Sequence, residues 1–358
     1  MTAQPTLASS LWAAEQSDQS EYLPSKRRKL STGCDPINKS LSGGFDYGSI
    51  SCLSSEAESG SKELSHSLIA KHLLASNGAE ATVIDTTNSF DVRGLHKRLV
   101  LLLQGNASQD DAKGEAIRVL ERVRIMKAFD FVGMRECVAE LRDALENRKQ
   151  TGQALRPRSE QPESPEPRGT VGDSEDEEDD MLDEPPPPEK PEPAVHSAED
   201  ERSSDPPCNL LVIDNITYAT APMLKNNHVQ GQALLATFMR SLAHLTRTYD
   251  LCLVLQNSAV THQTNAATDP TPSIFSSCSL RPALGRSFAY MLDMHLLLHK
   301  IPLSGADAKS IHAAHSSIPR PSGSMASVLE VMQDRHGDRV GHWAAFHPDA
   351  EGNLAPIS

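Results

Sequence analysis

Short apolar runs alternate along this chain with stripes at helical spacing, and the alternation lapses in one long polar stretch. Residues 50–53 predict a strand, and Leu64, Leu68, Ile69 and Leu73 fall on one face of the helix that should follow. Residues 81–86 predict a second strand, trailed by a helix through Leu95, Leu99 and Leu102. A helix over 115–122 and a strand over 123–128 come next. Met134, Val138, Leu141 and Leu145 then recur at 4-3-4 spacing, a stripe read as plain core packing. Beyond the polar stretch, residues 209–215 form a continuous apolar strand ending in an aspartate, as strands buried on both faces do. A helix carrying Leu234, Leu235, Phe238, Met239, Leu242 and Leu245 precedes strands at 251–255 and 294–298. Residues 328–332 and 340–346, on either side of Arg335-His336-Gly337-Asp338, predict a terminal hairpin. Strands alternating with helices in this way argue an α/β fold with a mostly parallel sheet, right-handed crossovers and a C-terminal hairpin.

The lapses in the pattern set the domain boundaries. Residues 1–31 predict a flexible tail, and 32–147 and 208–301 the two halves of one core. Residues 148–207 are an insertion, 302–325 a loose loop, 326–350 the hairpin and 351–358 a tail. With 358 residues, 24 prolines and 4% aromatic content, the chain suits one core of about 220–250 residues with the remainder unstructured. The insertion turns from basic to proline-rich to acidic, and it buries too little apolar surface to offset its ordering entropy. It also accounts for the charge. Fifteen of the 48 acidic residues lie between Asp173 and Asp205, against Lys190 and Arg202 alone, so the net −14 leaves the rest nearly neutral. That excludes a global basic field of the kind that drives nonspecific nucleic-acid binding. The six cysteines form no C-x-x-C pair and read as small buried hydrophobes. No apolar run reaches the ~18 residues of a membrane span, and no signal-peptide pattern opens the chain. A soluble protein of a reducing compartment, with no membrane partner, is expected.

Two short tracts in the tail invite a partner. Lys26, Arg27, Arg28 and Lys29 form a basic cluster suited to nuclear import or to nucleic-acid contact. Leu11, Trp12 and Ala14 place an aromatic among polar residues, an anchor either for a partner's groove or for this chain's own core.

The candidate chemistry centres on residues 48–64, GSISCLSSEAESGSKEL, where strand, small-residue loop and helix give the setting of a phosphate-binding loop. In G-x-x-x-x-G-K-[ST], the glycines let backbone N–H groups close around phosphates, the lysine neutralises them and the hydroxyl holds magnesium. Aligned on Lys62, the glycine positions are Glu56 and Ser61, and the hydroxyl position is Glu63. Counted from the strand without a gap, Gly60 is kept, but Ser61 stands at the lysine and Lys62 at the hydroxyl. Glu56 and Glu58 add negative charge where phosphates would lie, which opposes their binding. The aspartate closing the 209–215 strand, Asp214, is placed where an active enzyme of this layout holds its magnesium-bound water.

Thr32-Gly33-Cys34, followed by Leu41-Ser42-Gly43-Gly44-Phe45 and Gly48-Ser49-Ile50, is similar to the entry to the core of eukaryotic RecA-type recombinases and their paralogues. Arg281-Pro282-Ala283-Leu284-Gly285-Arg286-Ser287-Phe288, ahead of an Asp293-x-His295 strand, resembles a signature of the recombinase paralogues. Ala128-Phe129-Asp130, Ala139-Glu140-Leu141-Arg142 and Val212-Ile213-Asp214-Asn215-Ile216-Thr217 look closest to the D-type paralogue of the Rad recombinase family. The resemblance spans residues 30–147, 208–300 and 326–346. It leaves out the family's N-terminal helical domain, whose connection to the core would run about where this chain starts.

The resemblance implies a RecA-like P-loop NTPase core and ATP with magnesium as cofactors. It further implies DNA binding, head-to-tail assembly with nucleotide at subunit boundaries, and homologous-recombination repair in the nucleus. Carried onto this chain, the nucleotide-binding set Gly60, Ser61, Lys62 and Asp214 is degenerate, with Asp214 the magnesium position. The catalytic glutamate expected two residues after Asp85 is Thr87, and the γ-phosphate-sensing position falls at Asn257-Ser258. The DNA loops expected at 218–232 and 258–280 offer only Lys225, His228 and His262 as basic residues. The expectation is therefore a pseudo-ATPase scaffold with no catalytic residues and weakened ATP and magnesium binding. Its partners would be other recombinase paralogues and a RecA-type recombinase, with DNA reached through the complex. Leu11, Trp12, Ala14, Pro282 and Arg286 are its candidate interface. Two alternatives stay open: a DNA-stimulated ATPase with Lys62 as the phosphate ligand, and a RecA-fold subunit of a non-repair assembly such as Elongator.

Overall fold

The computed structural model describes residues 28–105, 108–154, 209–261, 273–303, 325–349 and 351–357. The core opens with a small antiparallel pair, β1 (Lys29–Leu30) and β2 (Phe45–Asp46), joined through α1 (Asp35–Ser40). Gly44, at φ 128°, lets the chain pass so close to the Leu30 carbonyl that a Cβ would lie 2.1 Å from its oxygen. Only glycine fits that crossing.

The main sheet follows from strands that, Val123–Lys127 apart, are buried along most of their length. β3 (Ser49–Ser55), β4 (Glu80–Asp85), β5 (Val123–Lys127), β6 (Asn209–Asp214), β7 (Cys252–Thr261) and β9 (Met294–Pro302) supply its parallel part. Parallel neighbours require crossovers, and helices supply them. These are α2 (Ser61–Ala75), α3 (Val92–Leu103) and α4 (Gln109–Leu120), then α5 (Phe131–Ala154), α6 (Ile216–Asn226) and α7 (His228–Thr248). A three-residue strand β8 (Leu280–Pro282) pairs with β7, and a short α8 (Gly285–Ala289) leads into β9. β10 (Met325–Asp334), β11 (Trp343–Pro348) and β12 (Leu354–Pro356) extend the sheet antiparallel, in the order β12-β11-β10-β9-β3-β7-β6-β4-β5.

Successive strand residues point to opposite faces, and each face carries its own core. Val83, Leu210, Val212 and Val254 meet α2 through Leu64, Leu68, Ile69 and Leu73, and α3 through Leu95 and Leu99. Ile84, Leu211, Ile213 and Leu253 meet the stripes of α5 and α7, including Met134, Val138, Leu235 and Leu242. All four α2 positions are fully buried, each contributing about 2 kcal/mol relative to exposure. The 4-3-4 stripe of α5 is indeed packing. Among the described residues no helix is long and apolar enough to cross a membrane.

Several expectations change. Arg28 pairs with Asp250 at 2.5 Å and lies over the Tyr47 ring. Lys29 reaches Asp46 and the Ser42 carbonyl, so half of the basic cluster belongs to the fold; Lys26 and Arg27 lie outside the described residues. The predicted tail at 351–358 holds β12, because Leu354 is apolar and buries itself in the core. The first predicted DNA loop, 218–232, is helical apart from Asn227. Pro222 reads as a turn in the sequence. The Asn215 side chain caps α6 by accepting from Thr217 N at 2.9 Å, and buried Ile216 and Ala219 hold the helix through the proline.

The chain divides into two compact units, residues 1–145 with 207–358, and 146–206. Of the second, the described part is the end of α5, which runs past the boundary expected at 147.

Candidate functional site

A cleft of about 970 Å³ opens at the carboxyl ends of the parallel strands, where α/β sheets bind ligands. Its wall combines the loop after β3 (Glu56, Glu58, Gly60) with the first turn of α2 (Ser61, Lys62, Glu63). Thr87, Asp214, Asn215, Gln256 and Ser258 stand at the strand ends, and Lys300, His347 and Pro348 come from the antiparallel side. The nucleotide set read from the sequence, Gly60, Ser61, Lys62 and Asp214, is brought together here.

The loop has the shape of a phosphate-binding loop but a different interior. Gly60, at φ 97°, precedes α2. A Cβ on it would sit 3.0 Å from Pro348 Cγ and 3.1 Å from Phe346 Cε2, so glycine is needed both for the turn and for β11 to pass. Glu56 anchors the loop to β9: its Oε1 accepts from Lys300 N at 2.7 Å, while its carbonyl accepts from Ser59 Oγ at 2.8 Å. Glu58, left-handed at φ 58°, lies 3.7 Å from Lys300 Nζ. The cleft thus carries four carboxylates, Glu56, Glu58, Glu63 and Asp214, against Lys62 and Lys300.

Asp85 and Asp214 end adjacent strands in register, yet their surroundings differ. Asp85 Oδ1 accepts from Thr87 N (3.0 Å), Thr87 Oγ1 (3.2 Å) and Ser89 N (3.3 Å), and Oδ2 from Phe90 N (3.0 Å). It is the staple of the turn after β4. Thr87, at the expected base position, spends its hydroxyl on Asp85 and Ser89. No donor among the described residues reaches the Asp214 carboxylate. Burial and the neighbouring Asp85 push its pKa up to about 6, with Lys62 pulling partly back.

Of the expected phosphate-sensing pair, Ser258 lines the cleft and Asn257 is absorbed into the core. Asn257 is fully buried; its Nδ2 donates to Ser54 Oγ at 2.8 Å and its Oδ1 accepts from Thr217 Oγ1. Ser54 Oγ in turn lies 2.8 Å from His295 Nε2, and burial holds His295 down at about 4, as neutral imidazole. Asn215 Nδ2 reaches Ser258 Oγ at 3.2 Å, and Gln256 Nε2 reaches Ser65 Oγ at 2.8 Å. Sequence reasoning missed this network, whose only signal was Ser54 and His295 standing inside otherwise apolar strands.

A magnesium triphosphate does not fit this arrangement. Phosphate oxygens would meet more carboxylate than ammonium, and Lys300 is shared with Glu58. Of the two strand-end aspartates, only Asp214 is left for a magnesium ion, since Asp85 is used by its turn. Among the described residues no group of three His, Cys, Asp or Glu is placed to hold a metal. Of the other predicted residues, Pro282 is in β8 and Arg286 is exposed on α8, while Leu284 and Phe288 of the same run are buried in the core. Leu11, Trp12 and Ala14 lie outside the described residues, as do residues 262–272 of the second predicted DNA loop.

No family model matches the chain. A cattle protein (Bos taurus) described as DNA repair protein RAD51 homolog 4 is 21% identical over 289 residues, covering 81% of this chain and 67% of that protein. The mouse (Mus musculus) protein of the same description is 21% identical over 283 residues, covering 78% of this chain and 64% of that protein. The chain therefore spans about two thirds of the length of these relatives. Among solved structures, the RadB recombinase superposes with a TM-score of 0.51 at 14% identity, covering 92% of this chain and all of that one. The fold is thus that of the RecA-like recombinases.

Proposed function

We propose that this chain, a divergent RecA-type recombinase paralogue, serves recombinational DNA repair as an assembly subunit whose cleft no longer carries out phosphoryl transfer. One observation carries the second half of that reading. The cleft holds four carboxylates against two amines, and Ser61, on the helix turn after Gly60, stands where the ungapped register needs a lysine. Phosphoryl transfer depends on positioned positive charge and on a residue that orients the nucleophile. Here the base position is a turn-holding threonine and the sensor position is a core asparagine.

The relatives' description as DNA repair proteins supports the repair role. It also supports other members of that recombinase family as partners and the nucleus as location. The paralogue-like run 281–288, with Pro282 and Arg286 on its accessible side, and the Leu11, Trp12, Ala14 tract are the proposed contacts. DNA would be met mainly within the complex.

Equilibrium binding of a fluorescent ATP analogue with magnesium, on the full chain and on Lys62→Ala and Asp214→Ala, tests the cleft. Absence of binding up to about millimolar is expected, at most ~4 kcal/mol of affinity. Micromolar binding lost in either variant would mean that the loop still binds nucleotide, and DNA-stimulated hydrolysis on top of it would overturn the assembly reading in favour of the ATPase one. That second reading has one observation in its favour: Lys62 and Asp214 line the same cleft closely enough for the lysine to lower the aspartate's pKa. Co-purification with recombinase paralogues tests the partner class, and capture by a non-repair assembly in their place would refute it.

A further inference from the structure

The face of the sheet that α5 and α7 cover is closed differently over its antiparallel part. There Cys278, Leu280 and Leu297 make a small cluster of their own, with Phe275 and Met332 packed on it. Buried Glu330 of β10 fixes the segment that supplies it: its Oε2 accepts from Ser273 Oγ at 2.6 Å and its Oε1 from Ile274 N at 2.7 Å. Phe275 meets the Trp343 ring edge-on at 5.4 Å, and Trp343 stands opposite Glu330 in the register of β10 and β11. Gly341 brings the turn before β11 against Ile274, whose Cγ2 would lie 3.9 Å from a Cβ there. The closure is incomplete: Ile274, Val340 and Trp343 remain 55%, 56% and 50% exposed.

Three large apolar side chains half open to solvent beside a fixed phenylalanine ring make a patch of the kind that another apolar segment covers. The chain carries such a segment within reach. Its other tryptophan lies in the run Leu11-Trp12-Ala13-Ala14, with polar residues on both sides. The described residues begin at Arg28, whose carbonyl accepts from Tyr47 N at 3.0 Å. Lys29 pairs with Asp46, and Asp46 Oδ2 accepts at 3.0 Å from Nη2 of Arg339, the residue before Val340. The chain thus enters the core on the rim where the patch starts. The thirteen residues 15–27 can bridge at most about 45 Å, against a route of one strand pair and one ion pair. So short a connection presents the run to the patch at an effective concentration of about millimolar. An untethered chain making the same contacts would have to reach that level to compete, which favours the chain's own run over a second copy.

We propose that Leu11-Trp12-Ala13-Ala14 docks on the patch of Ile274, Val340 and Trp343 in the same chain, so that a partner taking this run must first displace it. The docking goes beyond the assembly reading and holds without it.

The chain has two tryptophans, Trp12 and Trp343, so each can be read alone by fluorescence. In the full chain carrying Trp343→Phe, Trp12 emission should be blue-shifted, and acrylamide should quench it at least ~3-fold more slowly than in a peptide of residues 7–18, as burial of the indole requires. Adding Val340→Glu or Ile274→Glu should return the quenching to that of the peptide. Ile117→Glu, at an exposed apolar position on α4, is the control and should leave it unchanged. If Trp343→Phe melts the fold, Trp343 is read in a Trp12→Phe chain, where adding Leu11→Asp should speed its quenching at least ~2-fold. Trp12 as accessible in the full chain as in the peptide overturns the proposal and leaves the patch to another protein. Shielding that survives both patch variants overturns it too, because the run then sits elsewhere. So does shielding lost on ~100-fold dilution, since only docking between two copies depends on concentration.

Discussion

The two ends of the parallel strands each hold a carboxylate, and they have opposite surroundings. At the amino-terminal rim, Asp293 accepts a backbone N–H from β3 and has two guanidiniums and an imidazole around it. At the carboxyl rim, Asp214 has no donor within hydrogen-bond distance among the described residues, and both burial and Asp85 oppose its charge. The first carboxylate is part of what holds the sheet together. The second costs the fold stability in its charged form, which is typical of a residue placed for a ligand. Around it the cleft holds more carboxylates than amines. The strands and helices that position Asp214 are held by packing, which does not depend on a ligand.

The largest expected effect comes from breaking the rim that works. Asp293→Ala leaves the Ile50 N–H without its partner and the guanidiniums without their counter-charge. A loss of about 3 kcal/mol is expected by urea unfolding. A loss below about 0.5 kcal/mol would mean the carboxylate is no more structural than an exposed ion pair.

The opposite sign is expected at the other rim. Asp214 titrates at about 6 when folded and near its ordinary 3.8 when unfolded. Between those values the folded state holds more protons, so stability falls as pH rises through that window, and the full penalty stands at pH 7. The shift corresponds to at most ~3 kcal/mol. Because the residue borders an open cleft, Asp214→Asn should raise stability by about 1–2 kcal/mol at pH 7 and leave it unchanged near pH 4. A destabilised variant at pH 7 would mean that donors hold this carboxylate too.

The smallest effect sharpens the comparison. Lys62→Met removes the one charge that favours ionised Asp214. It should cost a few tenths of a kcal/mol at pH 7, nothing near pH 4, and nothing in the Asp214→Asn background. A cost that persists in that background would assign Lys62 a role unrelated to Asp214.

Much of the fold could be read from the chain. The strands at 50–53, 81–86, 209–215, 251–255 and 294–298 fall within strands of the structure to within one residue at an end, because strands buried on both faces are mostly apolar. The α2 and α5 stripes were visible for the corresponding reason in helices. The candidate site was only half legible. Gly60, Lys62 and Asp214 stood out by position, but Lys300, His347 and Pro348 complete the cleft from strands more than two hundred residues beyond Lys62. Nothing local marks them. The helical run through Pro222 was misread as a loop because proline biases a local reading, whereas the cap at Asn215 and the buried face of α6 decided the outcome.

By itself the sequence determined the α/β class, the apolar faces and the departure of residues 56–63 from the G-x-x-x-x-G-K-[ST] spelling. Those depend on residue identity and short-range spacing, which physical periodicity makes visible. Only the tertiary structure decided that Asn257 is a core residue and that Glu56 holds a loop. It also decided that one aspartate is neutralised while its counterpart at the other rim is not. Hydrogen bonds and charges act through space over a few ångströms, and the partners that set them are brought together only when the sheet closes.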